Sequence, residues 1–231
     1  MDCSICGQSI QSKYYQDSFG SKVHTHHEIE YCPVCGRIIC NLSYKKRYSD
    51  GRFICNCCYE NERPVIDKSK LDAAYCKAIR LLREKGFCFP NDIKVSLVSK
   101  EIFVKRGYKT ASGLCVSQIN MFGFRHHIMI LFGLPELNTV GIIAHELLHC
   151  WQNQERVKLV DTYCEGICEL GSGLVYKRAK SNFGDLLFRQ LETNQISEYS
   201  QGFIKMKEIL EKHGWEGIKQ FAKNQSFHNK S

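Results

Sequence analysis

His145 and His149 stand four residues apart in Thr139-Val-Gly-Ile-Ile-Ala-His-Glu-Leu-Leu-His-Cys-Trp151, and this spacing constrains the chain more than any other feature. On an α-helix, residues four apart share one face, so both imidazoles point the same way and can share one metal ion. The neighbours suit a buried helix. Leu137, Val140, Ile143, Ala144, Leu147, Leu148 and Trp151 are apolar, and neither Pro nor Gly interrupts 142–154. Glu146 follows the first histidine, where its carboxylate can reach a water beside the metal.

Two histidines leave a metal underligated, so a third ligand is expected downstream on a second helix. The segment Asp161-Thr-Tyr-Cys-Glu-Gly-Ile-Cys-Glu169 offers Glu165, with fifteen residues between it and His149, a length that a helix–loop–helix return can span. Asp161 and Glu169 compete for the role. Glu155 lies only six residues past His149, too near on the same helix to fold back.

Fourteen cysteines would suggest disulfides in a secreted chain. The start, Met1-Asp-Cys-Ser-Ile-Cys6, shows no basic-then-apolar signal and no apolar run reaches a membrane span, so the expected setting is cytoplasmic and the cysteines point to metal. Their spacing agrees. Cys32-x-x-Cys35, nineteen residues, then Cys55-x-x-Cys58 is a four-thiolate zinc pattern. Cys3-x-x-Cys6 precedes His24-x-x-His27 by seventeen residues, giving a second complete set, with His26 as a competitor for one place. Cys40 and Cys57 are left over and read as small buried residues.

Two finished sites in the order Cys-Cys-His-His, then four Cys, make residues 1–63 resemble a LIM domain. Four residues separate His27 from Cys32 where LIM domains usually have two, which implies an altered angle between the halves. So small a module buries little core, so its metals are expected to hold it folded. Its expected role is structural or protein-binding.

Residues 64–231 read as a second domain. Pro64 ends a polar linker, and 69–85 carries a helical stripe of Leu71, Ala74, Tyr75, Ala78, Ile79 and Leu82 before Gly86. Strands are expected around Ile93–Leu97, Ile102–Val104, Leu114–Ile119 and His127–Phe132. Helices are expected over 162–180, 182–194, 198–213 and 215–223, with Gly214 between the last two. The fold class is α+β, a small sheet and active-site helices behind the LIM-like module.

The net charge of +8 concentrates in residues 67–144, which hold 12 basic and 6 acidic side chains, among them Lys100, Lys105, Arg106, Lys109 and Arg125. A basic face can attract nucleic acid. No nucleic-acid motif accompanies it, and a solvated surface is the expected reading.

Leu131-Phe-Gly-Leu-Pro135, Ile142-Ile-Ala-His-Glu-Leu-Leu-His-Cys-Trp151 and Glu165-Gly-Ile-Cys168 follow one another as in the DA-one family, LIM-containing zinc peptidases described from plants as regulators of organ size. Gln190-Leu-Glu-Thr193 and Tyr199-Ser-Gln-Gly-Phe203 are similar to that family's end region. The chain resembles a short, bacterial-like member without a ubiquitin-interacting helix before the LIM-like part. Cys164 replaces a frequent second acid, and the loop before it is about one residue shorter, changes that bear on where Glu165 sits.

The resemblance implies a zincin-like, gluzincin-type fold and metal-assisted peptide hydrolysis by an endopeptidase. One catalytic zinc would sit on His145, His149 and Glu165, beside two structural zincs, with Glu146 as general base. Tyr199 is the first candidate to stabilise the oxyanion, with Tyr163, His126 and His127 as alternatives. His127–Phe132 is expected to be an edge strand that pairs with extended substrate. The expected partners are a protein or peptide substrate and a protein bound by the LIM-like module, with no membrane. A binding adaptor with an inactive peptidase domain and a nucleic-acid-associated zinc protein are the other two classes.

Overall fold

The computed structural model describes residues 1–40, 44–121, 123–193 and 198–228, with the side chains at 44, 45, 198–200 and 226–228 outside that description. Three two-stranded antiparallel ribbons open the chain: β1 (Tyr14–Gln16) with β2 (Lys22–His24), β3 (Glu30–Tyr31) with β4 (Ile38–Ile39), and β5 (Tyr44–Arg47) with β6 (Phe53–Cys55). A short helix α1 (Asn56–Asn61) follows, capped by the Cys55 sulfur, which accepts from the Cys58 amide. The two ends of this region differ in packing. Cys3, Val23 and Ile38 form a small separate cluster, whereas Val34, Tyr48, Ile54 and the buried cysteines Cys32, Cys35, Cys55 and Cys58 belong to the main core.

Residues 64–65 bind this region to the rest. Val65 donates to Leu134 and accepts from Gly133 through the backbone, and Pro64 bridges Pro135. Asp67 then caps α2 (Lys68–Arg83) by accepting from the Lys70 amide. Its buried residues Leu71, Ala74, Ala78, Ile79 and Leu82 recur at three- and four-residue spacing, the stripe that a half-buried helix needs. Gly86 at φ 80 ends it in the left-handed conformation that favours glycine.

The sheet holds β7 (Lys94–Val98), β8 (Gly113–Asn120) and β9 (Gly123–Leu131) in the order β7-β9-β8. β7 runs parallel to β9 and β8 antiparallel to it. Two expectations change here. Ile102–Val104 lies not in a strand but in the short helix α3 (Lys100–Lys105), where Phe103 alone turns inward. And β9, which contains His127–Leu131, is the central strand: paired on both sides, it cannot accept a further strand, and β7 and β8 are the edges.

Behind the sheet stand α4 (Glu136–Gln154) and α5 (Asp161–Ala179). They run antiparallel, since Gly141 faces Tyr176, Ala144 faces Gly171 and Gln152 bonds Cys164. Helix α6 (Asn182–Thr193) and the long α7 (Glu198–His228) complete the chain, with α7 kinked at Gly214, φ 63. The α5–α7 crossing depends on missing side chains: a β-carbon on Gly202 would stand 1.9 Å from the Thr162 carbonyl oxygen. Among the described residues no helix is long and apolar enough to cross a membrane.

Candidate metal centre

Helix periodicity brings the Nε2 atoms of His145 and His149 to 3.2 Å from each other. Antiparallel α5 then sets Glu165 opposite them. Its Oε2 lies 3.2 Å from His145 Nε2 and its Oε1 3.5 Å from His149 Nε2. A tetrahedral zinc with bonds of about 2.0–2.1 Å spaces its ligands about 3.3 Å apart, so these three atoms fit one ion.

The far side of each ring is held as well. His149 Nδ1 faces Gln152 Oε1 at 3.1 Å, and the Gln152 amide group is committed to the Cys164 carbonyl at 2.9 Å. That pairing makes Nδ1 the donor and leaves the Nε2 lone pair free. Cys168 Sγ, 3.4 Å from His149 Nδ1, and Cys164 Sγ, 3.9 Å away, crowd the same nitrogen. Glu169 Oε2 stands 3.8 Å from His145 Nδ1. Of the carboxylates weighed from sequence, Glu165 faces the Nε2 pair, Glu169 backs one ring and Glu155 pairs with Lys223 at 3.1 Å. Cys168 is a neighbour that spacing alone did not single out. It sits one helical turn past Glu165, a signal present in the sequence.

The acidic groups around the two rings favour positive charge on them. Burial pulls His145 down, but hydrogen bonds with Glu165 and Glu169 outweigh it and hold the ring well above the ordinary histidine range. His149 is likewise raised against burial, by the charge of Cys168 and by bonds with Cys164, Cys168 and Glu165. Glu165, pushed up by burial, is pulled further down by the two histidines. Burial raises the Glu146 carboxyl, with the histidines opposing.

These groups open into a cleft of about 1010 Å³, with Gly113, Leu114 and Cys115 of β8 on one wall and Tyr176 and Gln190 among the residues across it. The strand comes close because residue 113 is glycine. A β-carbon there would stand 2.5 Å from Glu146 Oε1.

Residues 65–176 match the family model described as DA1-like, Protein DA1. Over that segment, just under half of the chain, the protein is similar to the DA1-like family. Protein DA1-related 1 of Arabidopsis thaliana is 26% identical over 167 residues, 56% of this chain and 30% of the relative. Protein DA1 of the same plant is 28% identical over 116 residues, 38% of this chain and 22% of the relative. The chain thus spans less than a third of either relative's length. No solved structure matches. The DA1-like segment contains the whole His145–His149–Glu165 group and all three strands of the sheet.

Outside the DA1-like segment, two further groups can hold metal. Cys32, Cys35, Cys55 and Cys58 converge, all buried, with Cys35 and Cys55 sulfurs 3.6 Å apart against about 3.8 Å in a tetrahedral zinc thiolate site. Hydrogen bonds from Cys35, Cys55 and Cys58 hold the Cys32 thiol far down while bonds to Cys32, Cys35 and Cys55 push Cys58 far up, so the four sulfurs titrate as one interacting group. Cys3, Cys6, His24 and His27 form the second group, with Cys6 Sγ 3.5 Å and His27 Nε2 3.4 Å from His24 Nδ1. His26 stacks on His24 instead, ring centroids 4.9 Å apart. Cys40 and Cys57 are half-buried, not buried as expected, and the Cys57 carbonyl accepts from Asn61.

The oxyanion candidates fare differently. Tyr199 lies outside the described side chains. The Tyr163 hydroxyl accepts from Lys205, His126 is tied to Ser117 and His127 to Ser96, so none of these three lines the cleft. Tyr176 and Tyr108 do line it, hydroxyls that sequence position alone did not reveal.

Proposed function

We propose that the chain is a zinc-dependent peptidase whose reaction centre is the cleft over His145, His149 and Glu165. The carrying observation is the near-equal spacing of three ligand atoms around one point, with the Glu146 carboxylate buried beside it and an open cleft above. Zinc held there would supply Lewis acidity to a water and to the scissile carbonyl.

The protein's own groups do the rest. Gln152 fixes the His149 tautomer, and Glu169 and Cys168 hold the rings from behind. Glu146, its carboxyl raised by burial, takes the proton of the attacking water and delivers it to the leaving amine. The free edge of β8 pairs with an extended peptide backbone and lays it along the cleft. Val34, from the four-thiolate region, also lines the cleft, which suits a LIM-like module that helps to choose the protein substrate. The two sulfur-containing groups are structural zinc sites in this reading, since protein atoms fill every position.

Cleavage of a proteome-derived peptide library by wild type and Glu146→Gln tests the proposal. The expected result is a loss of about 10²–10⁴ in turnover with zinc content and melting temperature unchanged. Equal cleavage by both forms, or none by zinc-loaded wild type, sinks it. The second outcome favours a binding adaptor.

A further inference from the structure

A buried group that the proposed reaction does not use lies one residue past His149. Cys150 of α4 and Cys115 of β8 bring their sulfurs to 3.3 Å, and His126 of β9 places a ring nitrogen within 4.8 Å of both. The three residues come from three different elements, and 35 positions separate the two cysteines, so no local turn explains the convergence.

The histidine is the informative member. It is 3% exposed, Ser117 Oγ sits 2.7 Å from its Nδ1, and its buried Nε2 has no hydrogen-bond partner among the described residues. An orphaned buried nitrogen destabilises the fold unless something compensates it. A histidine held through one nitrogen by a hydroxyl and left open at the other is how protein metal sites orient an imidazole. The same hydroxyl stands 3.5 Å from Cys115 Sγ and accepts from Asn153 at 3.1 Å, which anchors it between strand and helix.

The geometry points to a further metal site at Cys115, His126 and Cys150, for a thiophilic divalent ion of the zinc class. Two cysteinates and a neutral imidazole balance the charge of such an ion, so the buried site would carry none in excess. The sulfurs need only part by about half an ångström to reach the tetrahedral separation of about 3.8 Å. Cys115 borders the cleft and gives the ion a route in. The ion would pin β8, one of the two edge strands of the sheet, to α4 beside His149. The site stands independently of the peptidase reading.

Zinc counting on the full chain, after gel filtration to remove loosely held ions, tests it. Wild type should carry four zinc ions, two in the N-terminal groups, one at His145–His149–Glu165 and one here. Cys115→Ser and His126→Gln should each carry one fewer. His149→Ala should lose a different ion, so that Cys115→Ser with His149→Ala loses two. Should Cys115→Ser fail to fold, His126→Gln keeps both thiols and gives the count, and the wild-type number stands beside it. Three ions in wild type with one lost in His149→Ala overturns the inference and leaves the proposed function intact. So does an unchanged count in His126→Gln, or a Cys115–Cys150 disulfide found by non-reducing peptide mapping of the metal-loaded protein. Loss in Cys115→Ser with none in His149→Ala supports this site and counts against the peptidase centre.

Discussion

The Tyr48 hydroxyl donates to the Gly133 carbonyl oxygen at 2.6 Å, and its ring lies where a β-carbon on Gly133 would have to go, 2.6 Å from Tyr48 Cε1. Gly133 also sits at φ 81. Beside it, Arg52 pairs with Asp50 at 2.8 Å and donates to the Phe132 carbonyl at 2.9 Å. The seam between the four-thiolate region and the DA1-like segment is therefore polar at its centre and close-packed around it. Gly133→Ala meets both a strained backbone and a ring with no room. We expect a cost of about 2–4 kcal/mol, and about 1 kcal/mol for Tyr48→Phe. Thermal melting decides, and an unchanged Gly133→Ala midpoint would place the seam elsewhere.

Glu165 and Glu169 occupy successive turns of α5 on opposite sides of the His145 ring. A neutral amide is a poor zinc ligand, so Glu165→Gln should release the ion from this centre first while Glu169→Gln keeps it with weaker affinity, about 10–100-fold. Zinc titration of both variants separates ligand from support. Release from Glu169→Gln alone would reverse the two roles.

Gly113→Ala probes the approach of β8 to Glu146, the proposed general base, without touching it chemically. The new methyl must displace the Glu146 carboxylate or the Ile142 side chain, each 2.5 Å from its position. Turnover should fall at least tenfold with zinc retained, because a shift of about 1 Å in a catalytic group costs up to about 10². A variant with full activity would show that Glu146 does not act from this position.

Acid should weaken the seam through Asp50. Burial raises its carboxyl, but the Arg52 side chain and the Lys100 amide overcome that and hold it below the usual range. A depressed folded-state pKa stabilises the fold above the unfolded value of about 3.9 and loses that contribution as pH falls through the folded value. The stability difference between wild type and Asp50→Asn should be full at neutral pH and shrink below about pH 4. A difference that stays constant from neutral pH down to about pH 3 would rule out this linkage.

Much of the centre was legible because its geometry is local. The four-residue step from His145 to His149 and the two-residue gaps of the cysteine pairs fix which atoms can meet, whatever surrounds them. The α2 stripe was legible for the same reason. Ile102-Phe-Val104 misled because three apolar residues in a row fit a strand as well as one turn of helix, and only the burial of Phe103 alone distinguishes them. The place of β9 at the sheet centre was out of reach, since strand order depends on pairings as distant as Lys94 with His127. The meeting of Cys115 with Cys150, and of Gly202 with Thr162, depends on how whole elements cross, and no short pattern records that.

Cys32, Cys35, Cys55 and Cys58 lie in the same apolar core as α2, α4 and α5, so an ion they bind would be in effect a ligand of the entire folded chain. Free zinc at about a hundredfold excess over such a site's dissociation constant would add about 2.7 kcal/mol to the folding equilibrium. The midpoint of unfolding then becomes a function of ambient zinc activity. In a zinc-starved setting the cleft, though it shares no ligand with that site, would lose stability together with the rest of the fold.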